Sequence, residues 1–361
     1  MNRIYNFSAG PAVLPLAVLE EASRGILEIN GSGMSILEVS HRGKDYEAIH
    51  ADTRQRLLRV LGLSEEEYVA LFLGGGASLQ FAMLPMNFLS SGQTADYVHT
   101  GEWAKKAIQE AQRFGNVHVA ASSEDAKFSY IPRQLALTPG AQYVHITTNN
   151  TIEGTEWASL PDTGGAPLVA DASSDILARA LDYSRFDLLY AGAQKNAGPA
   201  GVTLVIVRKA FLERASDDVP VILSYKKHAK SDSLYNTPPV FAIYVVGLVL
   251  QWIEKEGGLR AIEARNREKA ALVYAALDAH PDVYDPAVTD NADRSLMNVT
   301  FRLKNPDLDK AFLEGAKERD MDGLKGHRSV GGFRASIYNA FPVEGCQALA
   351  DYLTAFAADL R

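Results

Sequence analysis

The chain has 361 residues, a length that favours two domains with separate hydrophobic cores. Apolar residues make up 47% of it and charged residues 22%, as in ordinary globular proteins. The net charge of −8 excludes a general nucleic-acid binder, so an anionic ligand would have to be bound by a local cluster of basic residues.

Between residues 16 and 255, short apolar runs alternate with longer amphipathic ones. The pattern predicts helices over 78–89 and 101–114, and strands over 69–73, 94–100, 117–121, 143–147, 168–170, 188–191 and 202–207. Such alternation is typical of an α/β domain with a mainly parallel sheet and helices on both faces.

The pattern changes near residue 256, where Glu256-Gly257-Gly258 interrupts a helix. The rest of the chain predicts a helix over 259–280, a strand over 295–302, a helix over 308–319, a strand over 334–337 and a closing helix from Glu344. Strands and helices in this order indicate a smaller α+β domain. We therefore predict a large domain over 16–255 and a small domain formed by 1–15 and 256–361.

Lys195 and Asp171 each follow a predicted buried strand. Small residues flank Lys195 and leave room for a bulky group to approach its amine. The pair is what pyridoxal phosphate (PLP) requires, because the lysine forms a Schiff base and the aspartate keeps the pyridine nitrogen protonated. Either residue alone is common on surfaces or in turns, so only their combination favours this cofactor.

A glycine-rich segment, 74–78, lies between a predicted strand and a predicted helix. Backbone N–H groups at a helix N-terminus, together with the Ser78 hydroxyl, suit a phosphate group. The alternative is a plain turn with Ser78 as the helix cap. The nicotinamide fingerprint G-x-G-x-x-G is excluded because its last position is Leu79.

Two further segments follow predicted strands and have both a functional and a structural interpretation. Trp103 begins a predicted helix, where it either stacks on an aromatic cofactor or packs in a core. The hydroxyls and amides of 147–154 either contact a cofactor ring or form an ordinary turn.

Basic residues cluster in two places in this acidic chain, at 40–42 and at 326–334. Arginine side chains bind carboxylate and phosphate oxygens with two parallel hydrogen bonds, and the glycines of the second cluster leave space for a ligand. The alternative is solvated surface charge. A polar loop over 231–239, ended by two prolines, is predicted only to be ordered.

Other polar residues receive no ligand role. His99 and His145 lie within predicted strands and are expected to be satisfied core histidines, and no cysteine or histidine cluster has metal-ligand spacing. Cys346, the sole cysteine, is expected to be a packing residue. The chain shows no signal-peptide core and its longest apolar stretch, 240–253, is too short to span a bilayer, so we expect a cytoplasmic protein.

Taken together, the motifs resemble the phosphoserine aminotransferases, a family of fold-type-I PLP enzymes among the class-V aminotransferases. The resemblance runs nearly end to end, and its most specific segment is 326–332, which the wider class lacks. The segments that carry it are 6–12, 38–42, 75–81, 191–196, 235–239 and 326–332.

The resemblance implies a role for each site residue. Lys195 forms the Schiff base, Asp171 contacts the pyridine nitrogen, Trp103 stacks on the ring and Thr151 contacts its hydroxyl side. The residues implied to hold the cofactor phosphate are Gly76, Ala77, Ser78 and Gln194, with Asn236 and Thr237 from a second subunit. The residues implied to bind substrate anions are His41, Arg42, His327, Arg328 and Arg334. Some members of the family have an arginine in the glycine loop, where this chain has Ala77-Ser78.

The activity implied by the resemblance is transfer of an amino group between glutamate and 3-phosphohydroxypyruvate, which yields O-phosphoserine and 2-oxoglutarate in serine biosynthesis. It also implies a homodimer with active sites at the interface, and transamination of 4-phosphohydroxythreonine in pyridoxine biosynthesis.

Three alternatives to this activity stay open from the sequence. One is another class-V activity such as serine–glyoxylate aminotransferase. A cysteine desulfurase needs a nucleophilic cysteine on a mobile loop, whereas Cys346 lies in the predicted last helix. A non-catalytic binder of phosphate ligands would need neither Lys195 nor Asp171.

Overall fold

The computed structural model describes residues 3–360, and a seven-stranded sheet forms its centre. The strands are β1 (Tyr5–Asn6), β2 (Tyr68–Leu73), β3 (Thr94–His99), β4 (Asn116–Ser122), β5 (Val144–Thr147), β6 (Leu168–Asp171), β7 (Leu188–Gly192), β8 (Thr203–Arg208), β9 (Tyr284–Pro286), β10 (Asn298–Leu303), β11 (Met321–Asp322) and β12 (Phe333–Ser336). The helices are α1 (Leu16–Leu27), α2 (Lys44–Val60), α3 (Gly76–Phe88), α4 (Glu102–Ala111), α5 (Lys209–Leu212), α6 (Tyr225–Lys230), α7 (Val240–Lys255), α8 (Gly258–Asp278), α9 (Asp309–Lys317) and α10 (Val343–Asp359).

The central sheet has the strand order β2-β8-β7-β6-β5-β3-β4. Only β8 runs antiparallel to its two neighbours, and the other adjacent pairs are parallel. The prediction of an α/β fold with a mainly parallel sheet is therefore confirmed.

Strand β2 shows why some strands of the central sheet consist of apolar residues throughout. Its six residues are all buried, and they alternate between two cores on opposite faces of the sheet. Tyr68, Ala70 and Phe72 pack with residues of α2 and α7, while the intervening Val69, Leu71 and Leu73 pack with residues of α3. A strand covered on both faces needs no polar side, so it has no alternating pattern.

Helix α3 begins at Gly76, two residues earlier than the predicted start at 78, because of the glycine that precedes it. Gly75 has φ 81°, and a Cβ there would lie 2.6 Å from the Cβ of Leu79. A left-handed residue turns the chain sharply out of β2, and only glycine adopts it so close to another side chain.

The C-terminal part has its own sheet and core. Strands β12-β10-β9 form an antiparallel sheet, and β1 pairs with β11 in parallel. The predicted strand 295–302 begins only at Asn298, since the Ser295 hydroxyl accepts hydrogen bonds from Met297 N and Asn298 N and turns the chain.

Aromatic side chains fill the core of this part and connect it with the N-terminal segment. Phe7 packs in the same cluster as Phe301, Phe312 and Phe333. This packing agrees with the predicted pairing of 1–15 with 256–361, of which residues 1, 2 and 361 lie outside the described residues. The domain boundaries themselves stay a prediction.

Within residues 3–360, no helix combines the length and the apolar character that crossing a membrane requires. The same part of the chain contains no group of histidine, cysteine, aspartate or glutamate side chains arranged to bind a metal ion.

Candidate active site

Four neighbouring parallel strands, β3, β5, β6 and β7, end at one edge of the central sheet. The segments that follow them contain Trp103, Thr151 and Lys195, and Asp171 is the last residue of β6. Because the carboxyl ends of parallel strands meet at a common edge, this topology brings together residues that are far apart in the sequence.

Lys195 lies at the centre of this edge. Its Nζ donates a hydrogen bond to the Thr151 hydroxyl over 2.6 Å and lies 5.5 Å from the centre of the Trp103 ring. Burial lowers the pKa of Lys195 to about 8, although the charge of Asp171 opposes the shift. At pH 7 about a tenth of the amine is therefore neutral and nucleophilic, far more than for an ordinary lysine.

Asp171 is 4% exposed, so its carboxylate is shielded from water. It accepts a hydrogen bond from Ser173 N over 2.9 Å, and the Ser173 hydroxyl in turn accepts one from Gly192 N over 3.0 Å. Burial raises the pKa of Asp171, and the Lys195 charge counteracts that shift. A buried carboxylate beside a lysine is suited to stabilise another positive charge, such as a protonated ring nitrogen.

The glycine loop leaves an open surface at the start of α3. A Cβ on Gly76, which has φ 64°, would meet no atom within 4 Å. The first N–H groups of a helix have no acceptor within the helix, so those of α3 are available to an anion. Ser78 lies in the first turn and Gly75 occupies the cap position, so the alternative of a serine cap is wrong.

The N-terminal segment packs against Lys195 and its neighbour. A Cβ on Gly10 would lie 3.4 Å from Cγ of Lys195, and Ala12 N donates to the Gln194 carbonyl over 2.9 Å. The side-chain amide of Gln194 lies over Gly192. A Cβ on Gly192 would be 2.7 Å from Oε1 of Gln194. Residues before β2 therefore form part of the wall of the site.

Trp103 is half-buried and packs at the border of a core, as one of its two predicted roles requires. Its ring packs against Phe81, with centroids 6.4 Å apart, at the border of a core. Its Nε1 is buried and has no hydrogen-bond partner within residues 3–360. A buried donor without an acceptor is costly, which indicates that a ligand or water completes this position.

Arg334, on β12, is the member of the second basic cluster that contacts the residues around Lys195. Its Nη1 donates to the Thr151 carbonyl over 3.3 Å, while its buried Nε has no partner in the described part of the chain. Burial lowers the pKa of His327, and the positive charges of the nearby Arg334 and Arg328 lower it further. The small sheet thus contributes cationic donors to the edge where Lys195 lies.

Several predicted site residues are not brought to Lys195 within the single chain. Arg42, Arg328, Asn236 and Thr237 are exposed, and Asn236 donates to the Thr237 carbonyl over 3.2 Å. The Nε2 of His41 is buried without a partner. Among residues 3–360, none of these five residues has a hydrogen bond or ion pair to Lys195, Asp171 or Thr151.

The interpretation of two strand histidines needs a correction. His145 is fully buried and its Nε2 lies 2.8 Å from the Tyr190 hydroxyl, but its Nδ1 has no partner among residues 3–360. His99 is 8% exposed and its Nε2 is likewise unpartnered in that range. Both are core histidines, yet only partly satisfied. Cys346 is fully buried in α10 as a packing residue.

Sequence reasoning did not single out two buried carboxyl groups near the site. Glu153 is 7% exposed, and burial raises its pKa to about 7. Asp175 accepts a hydrogen bond from the Thr148 hydroxyl and pairs with Arg179 over 3.3 Å. Both lie in polar segments that look like turns in the sequence, and only their burial in the folded chain distinguishes them.

The side chains at this edge match the requirements of PLP. They supply an amine of lowered pKa, a buried carboxylate, an open helix N-terminus and an aromatic ring with an unpartnered N–H. The amine can react with the aldehyde of PLP, the carboxylate can pair with its protonated ring nitrogen, and the helix N-terminus can bind its phosphate.

The chain is similar to aminotransferases over nearly its whole length. The family model described as aminotransferase class-V matches residues 4–349. The phosphoserine aminotransferase of Desulfosudis oleivorans is 57% identical over 98% of this chain and 98% of its own. A solved phosphoserine aminotransferase from Bacillus circulans subsp. alkalophilus has a TM-score of 0.96 at 50% identity, covering 99% of both chains. A PLP-bound one from Trichomonas vaginalis has a TM-score of 0.92 at 40% identity, covering 97% of this chain and 99% of that one.

Proposed function

This chain belongs to the class-V aminotransferases, within the phosphoserine aminotransferases, and on that premise we propose that it is a PLP-dependent phosphoserine:2-oxoglutarate aminotransferase. It transfers the amino group of glutamate to 3-phosphohydroxypyruvate and thereby forms O-phosphoserine for serine biosynthesis. The observation that carries the proposal is the meeting of Lys195 and Asp171, at one edge of the central sheet, with Arg334 of the small sheet, because a phosphate-ligand binder needs no such set.

The cofactor contacts are proposed residue by residue. Lys195 binds the cofactor covalently, Asp171 pairs with its ring nitrogen, Trp103 lies against the ring and Thr151 contacts its hydroxyl side. When bound, PLP supplies an electron sink for the bonds around the substrate Cα. The residues proposed to hold its phosphate are Gly76, Ala77, Ser78 and Gln194, together with Asn236 and Thr237 of a second subunit.

Lys195 also moves a proton. Its amine, with a pKa lowered to about 8, accepts the proton from the substrate Cα and returns one later in the exchange. Thr151 supports this role because its hydroxyl holds Nζ at 2.6 Å. A base with a pKa close to the ambient pH accepts and releases protons with similar ease.

Arg334 is proposed to bind the α-carboxylate that all substrates share. Thr151 holds one of its nitrogens, and its Nε is buried and free to donate. A planar guanidinium fits a planar carboxylate with two hydrogen bonds. The phosphate of phosphoserine is proposed to be bound by His41, Arg42, His327 and Arg328, because several separate donors suit a tetrahedral dianion.

Substitution of these arginines tests the function. We expect Arg42→Ala or Arg328→Ala to reduce kcat/KM for phosphoserine about ten- to a hundredfold and for glutamate much less, since a charge-assisted hydrogen bond contributes about 1.5–3 kcal/mol. Arg334→Ala is expected to reduce both. Steady-state assays with phosphoserine, glutamate and serine measure the effect.

An exposed arginine on α8 provides the matched control. Arg260→Ala removes the same charge outside the site and should leave both substrates unaffected. Equal losses for phosphoserine and glutamate in Arg42→Ala and Arg328→Ala would refute the phosphate assignment. Serine turnover equal to that of phosphoserine would refute the proposed function.

We propose that the active form is a homodimer. Two segments with predicted site residues also expose large apolar side chains: Leu37, 61% exposed, precedes His41 and Arg42, and Tyr235, 40% exposed, precedes Asn236. Exposed apolar side chains next to exposed polar residues are typical of an interface. A two-fold dimer would bring these residues into the partner's site.

Mixing two inactive variants tests the dimer. When Lys195→Ala chains pair randomly with Asn236→Ala/Thr237→Ala chains, roughly a quarter of the parental activity should return, because half of the dimers are mixed and each has one intact site. Each variant refolded alone is the control. No recovery, with mixed dimers present in native mass spectra, would place Asn236 and Thr237 in the same site as their own Lys195.

Two finer proposals follow from the same site. The carboxylate and phosphate subsites also fit 4-phosphohydroxythreonine, so we propose transamination of this compound, as used in pyridoxine biosynthesis. We propose a cytoplasmic location, which a protein with one buried cysteine and no disulfide tolerates.

A further inference from the structure

Glu153 connects three parts of the molecule that meet near Lys195. It lies in the segment between β5 and β6 that also contains Thr151. Its Oε1 accepts a hydrogen bond from the backbone N of Glu102, the first residue of α4, over 2.8 Å. Its carbonyl accepts one from the Thr300 hydroxyl of β10, also over 2.8 Å.

The N-terminus of α4 lacks a cap from its own sequence. Gly101 occupies the cap position and has no side chain with which to bond the first N–H groups. The Glu153 carboxylate fills this role from a distant segment, and negative charge at a helix N-terminus is favourable. Trp103 is the second residue of this helix.

The contact between Glu153 and α4 is close. A Cβ on Gly101 would lie 2.6 Å from the carboxyl carbon of Glu153, so a larger residue there would displace the carboxylate. Glu153 is only 7% exposed, and its Oε2 is buried with no partner among residues 3–360. Its bond to Glu102 N therefore connects the carboxylate with the first turn of α4.

We propose that Glu153 is a positioning residue, which holds the first turn of α4, and with it Trp103, against the segment that carries Thr151. Without this bond the first turn has no cap, and Trp103 loses its fixed position beside Lys195. The inference rests on the proposed role of Trp103 against the cofactor ring.

Fluorine NMR of protein labelled with 5-fluorotryptophan tests this proposal directly. The chain has three tryptophans, and the Trp103 signal is the one that Trp103→Phe removes. Spectra of the full-length protein are recorded with PLP and after its removal, so the readout does not depend on activity. Trp252, on α7, serves as the internal reference.

Glu153→Ala and Gly101→Ala are expected to shift and broaden the Trp103 signal and leave that of Trp252 unchanged. Both should weaken PLP binding about fivefold to tenfold, which corresponds to the loss of one helix cap. Glu153→Gln keeps an oxygen acceptor and should restore the parental signal. Glu102→Gln removes a neighbouring charge but keeps the backbone donor, so it should also match the parent.

An unmoved Trp103 signal in Glu153→Ala, or a Glu153→Gln spectrum identical to that of Glu153→Ala, would overturn the proposal. If Glu153→Ala does not fold, Gly101→Ala provides the test. An unmoved Trp103 signal in Gly101→Ala would overturn the proposal equally. A displaced Trp103 signal in a protein without transaminase activity would support the role of Glu153 while refuting the proposed function.

Discussion

Replacing Lys195 by alanine is expected to reduce transamination on the order of 10⁴-fold or more, the largest effect that we predict for a single substitution. The change removes both the proposed covalent attachment of PLP and the base at the substrate Cα. No neighbouring group replaces it, because Thr151, whose hydroxyl lies 2.6 Å from Nζ, is not basic at neutral pH.

The loss is measured as kcat with glutamate and 3-phosphohydroxypyruvate, together with the visible absorbance that borohydride removes from the parent. The control variant Lys230→Ala, which removes an exposed lysine at the end of α6, should keep both the turnover and the absorbance. A Lys195→Ala protein that retains borohydride-sensitive absorbance and turnover would contradict the assignment. A parent that stays colourless after reconstitution with PLP would contradict the whole proposed function.

Asp171→Asn is expected to reduce kcat roughly 10²- to 10⁴-fold while leaving the fold intact. The estimate follows from the loss of one partner of a buried charge pair, which costs about 3–5 kcal/mol. Asparagine has nearly the same shape and can keep the hydrogen bond from Ser173 N, so the change isolates the charge.

The same variant should lower the pKa of Lys195 below its value of about 8, because the charge of Asp171 is the main influence that raises it. In protein without PLP, the pH midpoint for acylation of the Lys195 amine should therefore move down, since the neutral amine reacts. Asp187→Asn is the matched control: Asp187 pairs with Arg208 at the opposite end of β7, and its loss should leave the midpoint unchanged. Unchanged turnover in Asp171→Asn would refute its role.

The sequence by itself determined most of the secondary structure of the large part of the chain. Continuous apolar runs, such as those of β2 and β7, appear because both faces of these strands are covered. Lys195 and Asp171 could be predicted for the same reason, since a charged residue at the end of a buried strand or shortly after it is conspicuous. Periodicity and turn chemistry are local, so they are visible without the fold.

Only the tertiary structure decided how the remaining site residues are arranged. Sequence reasoning placed Arg42 and Arg334 in equivalent basic clusters, but the register of β12 against β10 brings Arg334 to the Thr151 carbonyl, while Arg42 stays exposed in the single chain. The glutamate that caps α4, Glu153, looks like a residue in a turn. Its role depends on Gly101 and Thr300, which are distant in sequence, and contacts of this kind exist only after β3, β5 and β10 have packed together.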